Sequence, residues 1–186
     1  MTASFDIFGR LIMDHELHRD LIDALGETHG ESEQRAELFE RLTKEVKSHP
    51  AVEEHALYST MMRKPETTDE TRHSVAEHQE IEELLNDLAA TPMASGAWMT
   101  KFRTLRERYF HHIDEEEREN FPDYARYLTA EDEAHMRAVF ERRKRAECAE
   151  AEVTPELLED AKAEHPRQAW SFPFCALISP RSGAAT

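Results

Sequence analysis

An internal repeat constrains the fold of this chain more than any other feature of its sequence. When residue n is laid on residue n + 63 without gaps, apolar positions fall on apolar positions, such as Leu21 on Leu84 and Phe39 on Phe102. The same shift aligns polar residues in three pairs: His15 with His78, His49 with His112, and Glu53 with Glu116. One shift that matches apolar and polar positions together indicates two copies of a single structural unit.

Each copy has the apolar period of two α-helices. The spacing predicts helices over residues 5–25, 33–62, 71–90, 97–121 and 131–147. Glycine and proline interrupt the pattern between them, and short connections between helices of similar length favour antiparallel neighbours. We therefore expect an all-α protein in which a duplicated helical hairpin forms an up-down-up-down four-helix bundle, followed by a fifth helix and a C-terminal tail.

The periodic pattern weakens towards the C-terminus. Thr129 and Asp132 have the spacing of a capping box, which predicts the start of the fifth helix. We expect residues 1–147 to form the bundle with its extra helix, and residues 148–186 to form a short helix and a packed or partly disordered tail. Binding of a protein partner or a second copy of the chain through this tail remains open.

Composition argues against several classes of partner. The formal net charge of −16 would repel the phosphates of nucleic acids and anionic lipid surfaces. Charged residues interrupt the apolar runs of residues 1–20, so neither a signal peptide nor a membrane span is predicted and a cytoplasmic location is expected. Cys148 and Cys175 suit neither a disulfide framework nor a cysteine metal site, and we expect free thiols.

The repeated histidines and glutamates lie on the apolar stripes of the predicted helices. His15 and His78 occupy core positions of the first and third helices, and the second and fourth helices each carry a His-x-x-x-Glu pair. Residues four apart project from one side of a helix, so each pair can direct an imidazole and a carboxylate to one point. Four histidines and two glutamates are therefore expected to meet in the core.

Such a cluster predicts a metal site. A buried carboxylate without a partner is costly or stays neutral, and no lysine or arginine lies on these stripes. A divalent cation accepts both imidazole and carboxylate ligands, and two symmetric sets of ligands suit two ions bridged by carboxylates. Iron is the preferred metal, ahead of zinc and manganese. The alternative without metal is a cluster of buried polar residues bonded to one another.

The ordered pattern His, HxxxE, His, HxxxE resembles the hemerythrin-like proteins, or hemerythrin HHE cation-binding domains, over residues 5–125. The resemblance implies a non-heme di-iron centre with an oxo or hydroxo bridge, held by His15, His49, Glu53, His78, His112 and Glu116. It also implies binding of dioxygen, peroxide or nitric oxide. Oxygen carriers of this family have a histidine where this sequence has Ser74, and His-x4-Asp in the fourth helix. These departures favour a less saturated site over a simple oxygen carrier.

Two further histidines are candidates for the site. His18 lies one turn after His15 on the same stripe, and we expect it to steady a ligand or to act as an extra ligand. His73 is turned by about 100° from Ser74 and could reach the metal only if the helix were locally widened. The glutamates beside the HxxxE pairs are expected on a solvated acidic face: Glu54, Glu115 and Glu117.

Several functions are compatible with such a centre. Sensing, storage and detoxification of peroxide remain open, as does catalase-like or oxygen-activating catalysis. The alternatives are a bundle stapled by a structural metal and a regulator that binds a partner without catalysis. A ferritin-like bundle would need two Glu-x-x-His motifs, and only Glu70 with His73 provides one.

Overall fold

Short loops connect the helices of the bundle. The computed structural model describes residues 7–151, with side chains as far as residue 140 and at residues 142 and 143. In this range lie five main helices: α1 (Ile7–Gly26), α2 (Glu33–Val52), α3 (Thr68–Ala89), α4 (Gly96–Glu115) and α5 (Ala130–Ala151). The pairs α1 with α2 and α3 with α4 pack as hairpins, and no strand occurs in residues 7–151. The predicted all-α bundle with a fifth helix is confirmed.

Polar side chains fix where three of the helices begin. The Ser32 side chain accepts a hydrogen bond from the Arg35 amide at 3.2 Å, and Ser95 accepts one from the Ala97 amide at 3.2 Å. At the start of α5, the Asp132 amide donates to Thr129 Oγ1 at 3.1 Å and the Thr129 amide donates to Asp132 Oδ2 at 3.0 Å. This reciprocal pair is the predicted capping box.

Two π-helical segments extend the second and fourth helices. Glu53–Tyr58 follows α2 and Glu116–Asn120 follows α4, each before a short α-helical turn (Ser59–Met61 and Phe121–Tyr124). The sequence predicts uninterrupted helices here, and the difference is that a π-turn contains one more residue than an α-turn. Pro50 does not explain both segments, because Ile113 occupies its equivalent position in α4. Both segments begin at the glutamate of an HxxxE pair.

The apolar core has two parts with the polar cluster between them. One part contains Ile22, Leu85 and Phe102 among its buried residues, and the other contains Leu11, Met61 and residues of α5. Along α1 the order is Leu11, then His15, then Ile22, so the histidine lies between the two parts. The candidate ligands are thus surrounded by packed apolar side chains rather than by solvent.

A buried arginine connects the loops at the far end of the bundle. Arg35 donates hydrogen bonds to the Thr28 hydroxyl at 2.9 Å and to the Met93 carbonyl at 3.0 Å. Its guanidinium also lies 4.7 Å from the ring centre of Trp98, its partner in the repeat. Contact between equivalent residues of the two copies places them beside the approximate two-fold axis of the bundle.

The compact unit that contains the bundle extends to Phe140. Of the second unit, which begins at Glu141, the structure describes only the remainder of α5. The predicted division between residues 147 and 148 therefore stays a prediction, and the predicted short helix and tail lie outside the described residues. Within residues 7–151, no helix is long and apolar enough to cross a membrane.

Candidate metal centre

The structure brings all six predicted ligand residues together in the core. Each is buried, with between 0 % and 6 % of its surface exposed: His15, His49, Glu53, His78, His112 and Glu116. Their ligand atoms form two groups in which all atoms lie within 4.8 Å of one another. His15, His49 and Glu53 form one group, and His78, His112, Glu116 and again Glu53 form the other.

Glu53 is the residue that the two groups share. Its Oε1 atom lies 3.2 Å from His49 Nε2 and 3.9 Å from His15 Nε2. Its Oε2 atom lies 3.2 Å from His78 Nε2, on the second copy of the hairpin. One carboxylate therefore faces histidines of both copies with different oxygen atoms.

Glu116 is held differently, although it is the equivalent of Glu53 in the repeat. Its Oε2 atom lies 3.4 Å from His15 Nε2 and 3.6 Å from His112 Nε2. Its Oε1 atom accepts a hydrogen bond from the buried Tyr58 hydroxyl. Glu116 thus presents one oxygen to the histidines and keeps the other bound to tyrosine.

Carboxylates also lie behind the four imidazoles, at the Nδ1 atoms. The distances are 2.9 Å for His15 to Glu117, 2.9 Å for His112 to Glu77, 3.3 Å for His78 to Glu54 and 3.7 Å for His49 to Asp14. Such partners fix the ring so that Nε2 faces the centre of the cluster, where the Nε2 atoms of His15 and His49 lie 2.9 Å apart. Asp14 and Glu77 were not identified from the apolar period. Glu54 and Glu117 were expected on a solvated face, and 42% and 21% of their side chains are exposed, but both also bind histidines of the cluster. The 63-residue shift pairs these carboxylates too, and that signal could have revealed them.

Burial and close charges shift the pKa values of the central groups. For Glu53, burial opposes ionisation, but His49 and His78 outweigh it and hold its pKa well below the usual range. Burial and the Glu53 charge raise the pKa of Glu116. Burial opposes the charged form of His49 and His78, yet the nearby carboxylates, Glu53 above all, raise their pKa values to about 10 and about 9.

The central atoms fit a bound cation. Four of them lack any hydrogen-bond partner although they are fully buried: both oxygens of Glu53, Oε2 of Glu116 and Nε2 of His78. Unpaired polar atoms are costly in a protein interior, and a cation would satisfy all four at once. Imidazole nitrogen with carboxylate oxygen is a donor set that suits iron, manganese or zinc.

Comparison with known proteins agrees with this geometry. A family model described as the hemerythrin HHE cation binding domain matches residues 6–124. The chain belongs to this family. No curated protein matches it significantly. A crystal structure of a hemerythrin HHE cation binding domain-containing protein from Mycobacterium kansasii is similar, with a TM-score of 0.65 and 23% sequence identity, covering 76% of this chain and 89% of that chain.

At this level of identity the similarity to the Mycobacterium kansasii protein shows the shared fold. Membership of the hemerythrin HHE family adds that the domain binds metal cations, and the buried histidine and glutamate groups provide suitable ligands. The resemblance inferred from the ordered histidines and glutamates is confirmed.

The two additional candidate histidines of this HHE domain lie in different surroundings. His18 is fully buried, its Nδ1 lies 2.5 Å from the Tyr109 hydroxyl, and its ring meets that of His49 edge-on at 5.1 Å. Burial and the positive charge of His49 lower the pKa of His18 to about 3, so the ring is neutral. By contrast, 54% of the His73 side chain is exposed, and this part of α3 is a regular α-helix. His73 therefore lies outside the central cluster.

Ser74 lies one turn before His78 on α3 and is buried. Its hydroxyl donates to the Glu70 carbonyl at 3.3 Å and accepts a hydrogen bond from Asn120 at 3.2 Å. The equivalent residue in the first copy is Leu11. The second copy therefore has a small polar side chain, where the first copy has an apolar one.

A cavity of about 230 Å³ lies between α2 and α3. His78 and Glu54 line it together with apolar side chains that include Val46 and Val75. Because Glu54 lies beside Nδ1 of His78, this cavity adjoins the outer side of that ring.

Proposed function

We propose that this HHE domain holds two iron ions at the central cluster and binds a small oxygen-type ligand there. The proposed ligands are His15, His49, Glu53, His78, His112 and Glu116. The observation that carries the proposal is the placement of Glu53, whose two unpaired oxygens face histidines of both copies of the hairpin. A carboxylate that presents one oxygen to each of two histidine groups is suited to bridge two cations.

Bound iron would supply redox chemistry and Lewis acidity towards dioxygen, peroxide or nitric oxide. The protein's own groups prepare the site for this. Glu117 and Glu77 orient the rings of His15 and His112 through Nδ1. Tyr58, whose pKa is raised well above its usual value by burial and by Glu116, keeps its proton and fixes the direction of the Glu116 carboxylate.

The cavity between α2 and α3 supports a small ligand. Its volume of about 230 Å³ admits a diatomic molecule or peroxide, and its wall includes His78. On the same copy of the hairpin, Ser74 replaces the extra histidine of the oxygen carriers, and His73 points elsewhere. We infer that an incoming ligand reaches the His78 and His112 side of the centre.

Metal analysis of protein purified without a chelator tests the proposal. We expect about two irons per chain and the absorption bands of an oxo-bridged ferric pair, which should change when oxygen, peroxide or nitric oxide is added. Protein that binds a single zinc ion, or bands that do not respond to any of these ligands, would contradict the proposal. Full occupancy in Glu53→Ala would contradict the ligand assignment alone.

Turnover of peroxide is tested separately, at Ser74. If the His78 side of the centre is open, wild type should release oxygen from peroxide, and Ser74→His should release less because the new imidazole competes with the ligand. Ser74→Ala is the matched control, since it removes the hydroxyl without adding a ligand. Equal activity in all three proteins, at equal iron content, would count against an open position at Ser74. Activity no higher than that of free iron in wild type would leave binding or sensing as the function.

A second candidate role is structural: the metal would stabilise the assembled bundle. Both copies of the hairpin contribute to the cluster, so metal should bind only the assembled bundle and its binding free energy should add to stability. Chelation is therefore expected to lower the melting temperature. A stabilised protein with no response to oxygen-type ligands would favour the purely structural role.

A further inference from the structure

A second group of possible ligands lies outside the central cluster, where α3 meets α4. His73 Nε2 lies 3.7 Å from Glu77 Oε1 and 3.6 Å from Glu115 Oε1. The three ligand atoms lie within 4.8 Å of one another. Of the His73 side chain 54% is exposed, against 24% for Glu115 and 3% for Glu77. This outer group therefore opens to solvent on one side and ends on a buried carboxylate on the other.

The buried carboxylate of Glu77 has two differently placed oxygens. Oε2 accepts a hydrogen bond from His112 Nδ1 at 2.9 Å. Oε1 points towards His73 and Glu115 and has no hydrogen-bond partner, although it is fully buried. An unpaired oxygen of a buried carboxylate needs a compensating positive charge or donor. A cation bound in the outer group would supply the missing partner of Glu77 Oε1.

In the first copy of the hairpin, the carboxylate equivalent to Glu77 has a positively charged partner. Asp14 is the equivalent of Glu77, and its Oδ2 atom lies 3.7 Å from His49 Nδ1. Its Oδ1 atom accepts a hydrogen bond from Arg10, the residue equivalent to His73. A guanidinium thus neutralises the outer oxygen of Asp14. In the second copy an imidazole replaces this permanent charge and leaves room for an ion.

The other charged groups around this corner are already paired. Burial opposes ionisation of Glu77, but His112, His73 and Arg108 outweigh it and lower its pKa. Arg108 itself donates two hydrogen bonds to Glu80. His111 Nε2 lies 3.5 Å from Glu115 Oε2, the oxygen that faces away from His73. Neither Arg108 nor His111 therefore neutralises Glu77 Oε1 in the way that Arg10 neutralises Asp14 in the first copy.

We propose that His73 Nε2, Glu77 Oε1 and Glu115 Oε1 bind one divalent cation of the zinc and ferrous-iron class. One imidazole and two carboxylates are a donor set that such ions accept, and the exposed side leaves positions for water. This outer site is distinct from the central cluster and does not depend on which metal the cluster holds. It is joined to the cluster by Glu77, so an ion bound outside places positive charge behind His112.

The test uses the full chain with its central metal loaded, and zinc as the probe. Zinc is titrated by calorimetry, and both zinc and the original metal are then counted by mass spectrometry after desalting. We expect one zinc per chain in addition to the retained central metal. The variant His73→Arg copies the first copy of the hairpin, and it should weaken zinc binding by about tenfold or more while the central metal content stays unchanged.

Two variants complete the comparison. Glu115→Gln should also weaken zinc binding, because it removes a charged ligand without changing shape. His29→Ala removes an exposed histidine of the loop before α2, and it should bind zinc as wild type does. Zinc affinity that is the same in wild type and His73→Arg would overturn the outer site, as would the absence of any bound zinc in wild type. Zinc that merely replaces the central metal would show as loss of that metal in every variant.

Discussion

The two copies of the hairpin place the same candidate ligand residues at equivalent positions but surround them differently. Beside His49 lies the polar pair His18 and Tyr109, joined at 2.5 Å, whereas the residues equivalent to this pair are Ile81 and Val46. Beside His78 the ring of Tyr58 stacks at 5.6 Å, whereas the equivalent Phe121 stacks on His15 at 6.0 Å. The comparison teaches that the ligand set is symmetric while its environment is not.

This asymmetry separates two roles of the site, which are to hold metal and to control what reaches it. The symmetric set of candidate ligands could hold metal, and the repeat alone specifies that set. What reaches the metal, and how each ligand is oriented, depends on residues that differ between the copies. Variants at equivalent positions therefore test the two copies against each other.

The largest expected difference concerns the two central glutamates. Glu53→Ala should remove most bound metal, since it deletes both oxygens that face the two histidine groups. Glu116→Ala should remove less, because one of its oxygens is already bound to Tyr58. Metal per chain, counted by mass spectrometry, measures both. Glu119→Ala, in the same π-helical segment but exposed, is the control and should retain full metal. Greater loss in Glu116→Ala than in Glu53→Ala would reverse the assignment.

The next difference concerns Asp14 and Glu77, the carboxylates at the Nδ1 atoms of His49 in α2 and His112 in α4. Glu77→Gln should lower metal affinity by about tenfold to a hundredfold, because it weakens a 2.9 Å hydrogen bond that orients His112. Asp14→Asn should have a smaller effect, since Asp14 lies 3.7 Å from His49 Nδ1 and shares its charge with Arg10. Competition with a chelator of known affinity measures both. Equal losses would show that distance at Nδ1 does not matter here.

Tyr58→Phe makes the two copies alike, because Phe121 is its equivalent. Loss of the hydroxyl leaves a buried oxygen of Glu116 without a donor, and we expect the metal-free protein to lose about 1 to 2 kcal/mol of unfolding free energy. Urea unfolding in the presence of a chelator measures this. Tyr127→Phe, at a half-buried tyrosine beyond the site, serves for comparison. An unchanged midpoint in Tyr58→Phe would mean that Glu116 finds another donor.

The smallest expected difference is the pH dependence of stability that comes from Glu117 and Glu54, the glutamates beside His15 and His78. Burial opposes ionisation of Glu117, but hydrogen bonds from His15 and Arg19 lower its pKa to about 2. Its contribution should be complete above its ordinary pKa near 4.5 and disappear as the pH falls towards 2. The gap in unfolding free energy between wild type and Glu117→Gln should be about 1 kcal/mol at pH 6 and shrink at lower pH.

The matched variant in the other copy is Glu54→Gln. The hydrogen bond from His78 lowers the pKa of Glu54, but among the described residues no arginine adds to this effect, and 42% of its side chain is exposed. Its gap from wild type should therefore be smaller across the same pH range. A larger effect at Glu54 would show that exposure does not decide between the copies.

The sequence predicted the helices and the central cluster because both follow from periodicity. His15, His49 and Glu53 lie on regular apolar stripes, and the repeat supplied their partners. The repeat also pairs Asp14 with Glu77, but the apolar period does not place them on the core stripe. Each lies one residue before a core histidine, on a flank of its own helix, and only the neighbouring helix gives it a role.

The contacts of Glu54 and Glu117 with histidines have a local cause. Each follows the first residue of a π-helical segment, where the wider turn rotates the chain less per residue than an α-helix does. Both carboxylates consequently stay close to the face of Glu53 and Glu116 and reach histidines of the other copy. Helical wheels drawn with the α-helical period cannot show this.

The position of the paired π-helical segments favours a widened turn that is older than the duplication of the hairpin. Both begin 63 residues apart, at the same glutamate of the repeated unit, so the extra residue in the turn is more simply inherited once than acquired twice. The ancestral hairpin would then already have carried the widened turn before the gene doubled. Such a hairpin holds only half of the cluster, and two separate chains would have had to associate to complete it. In that case the cross-copy contacts from Glu54 to His78 and from Glu117 to His15 would lie where two separate chains once met.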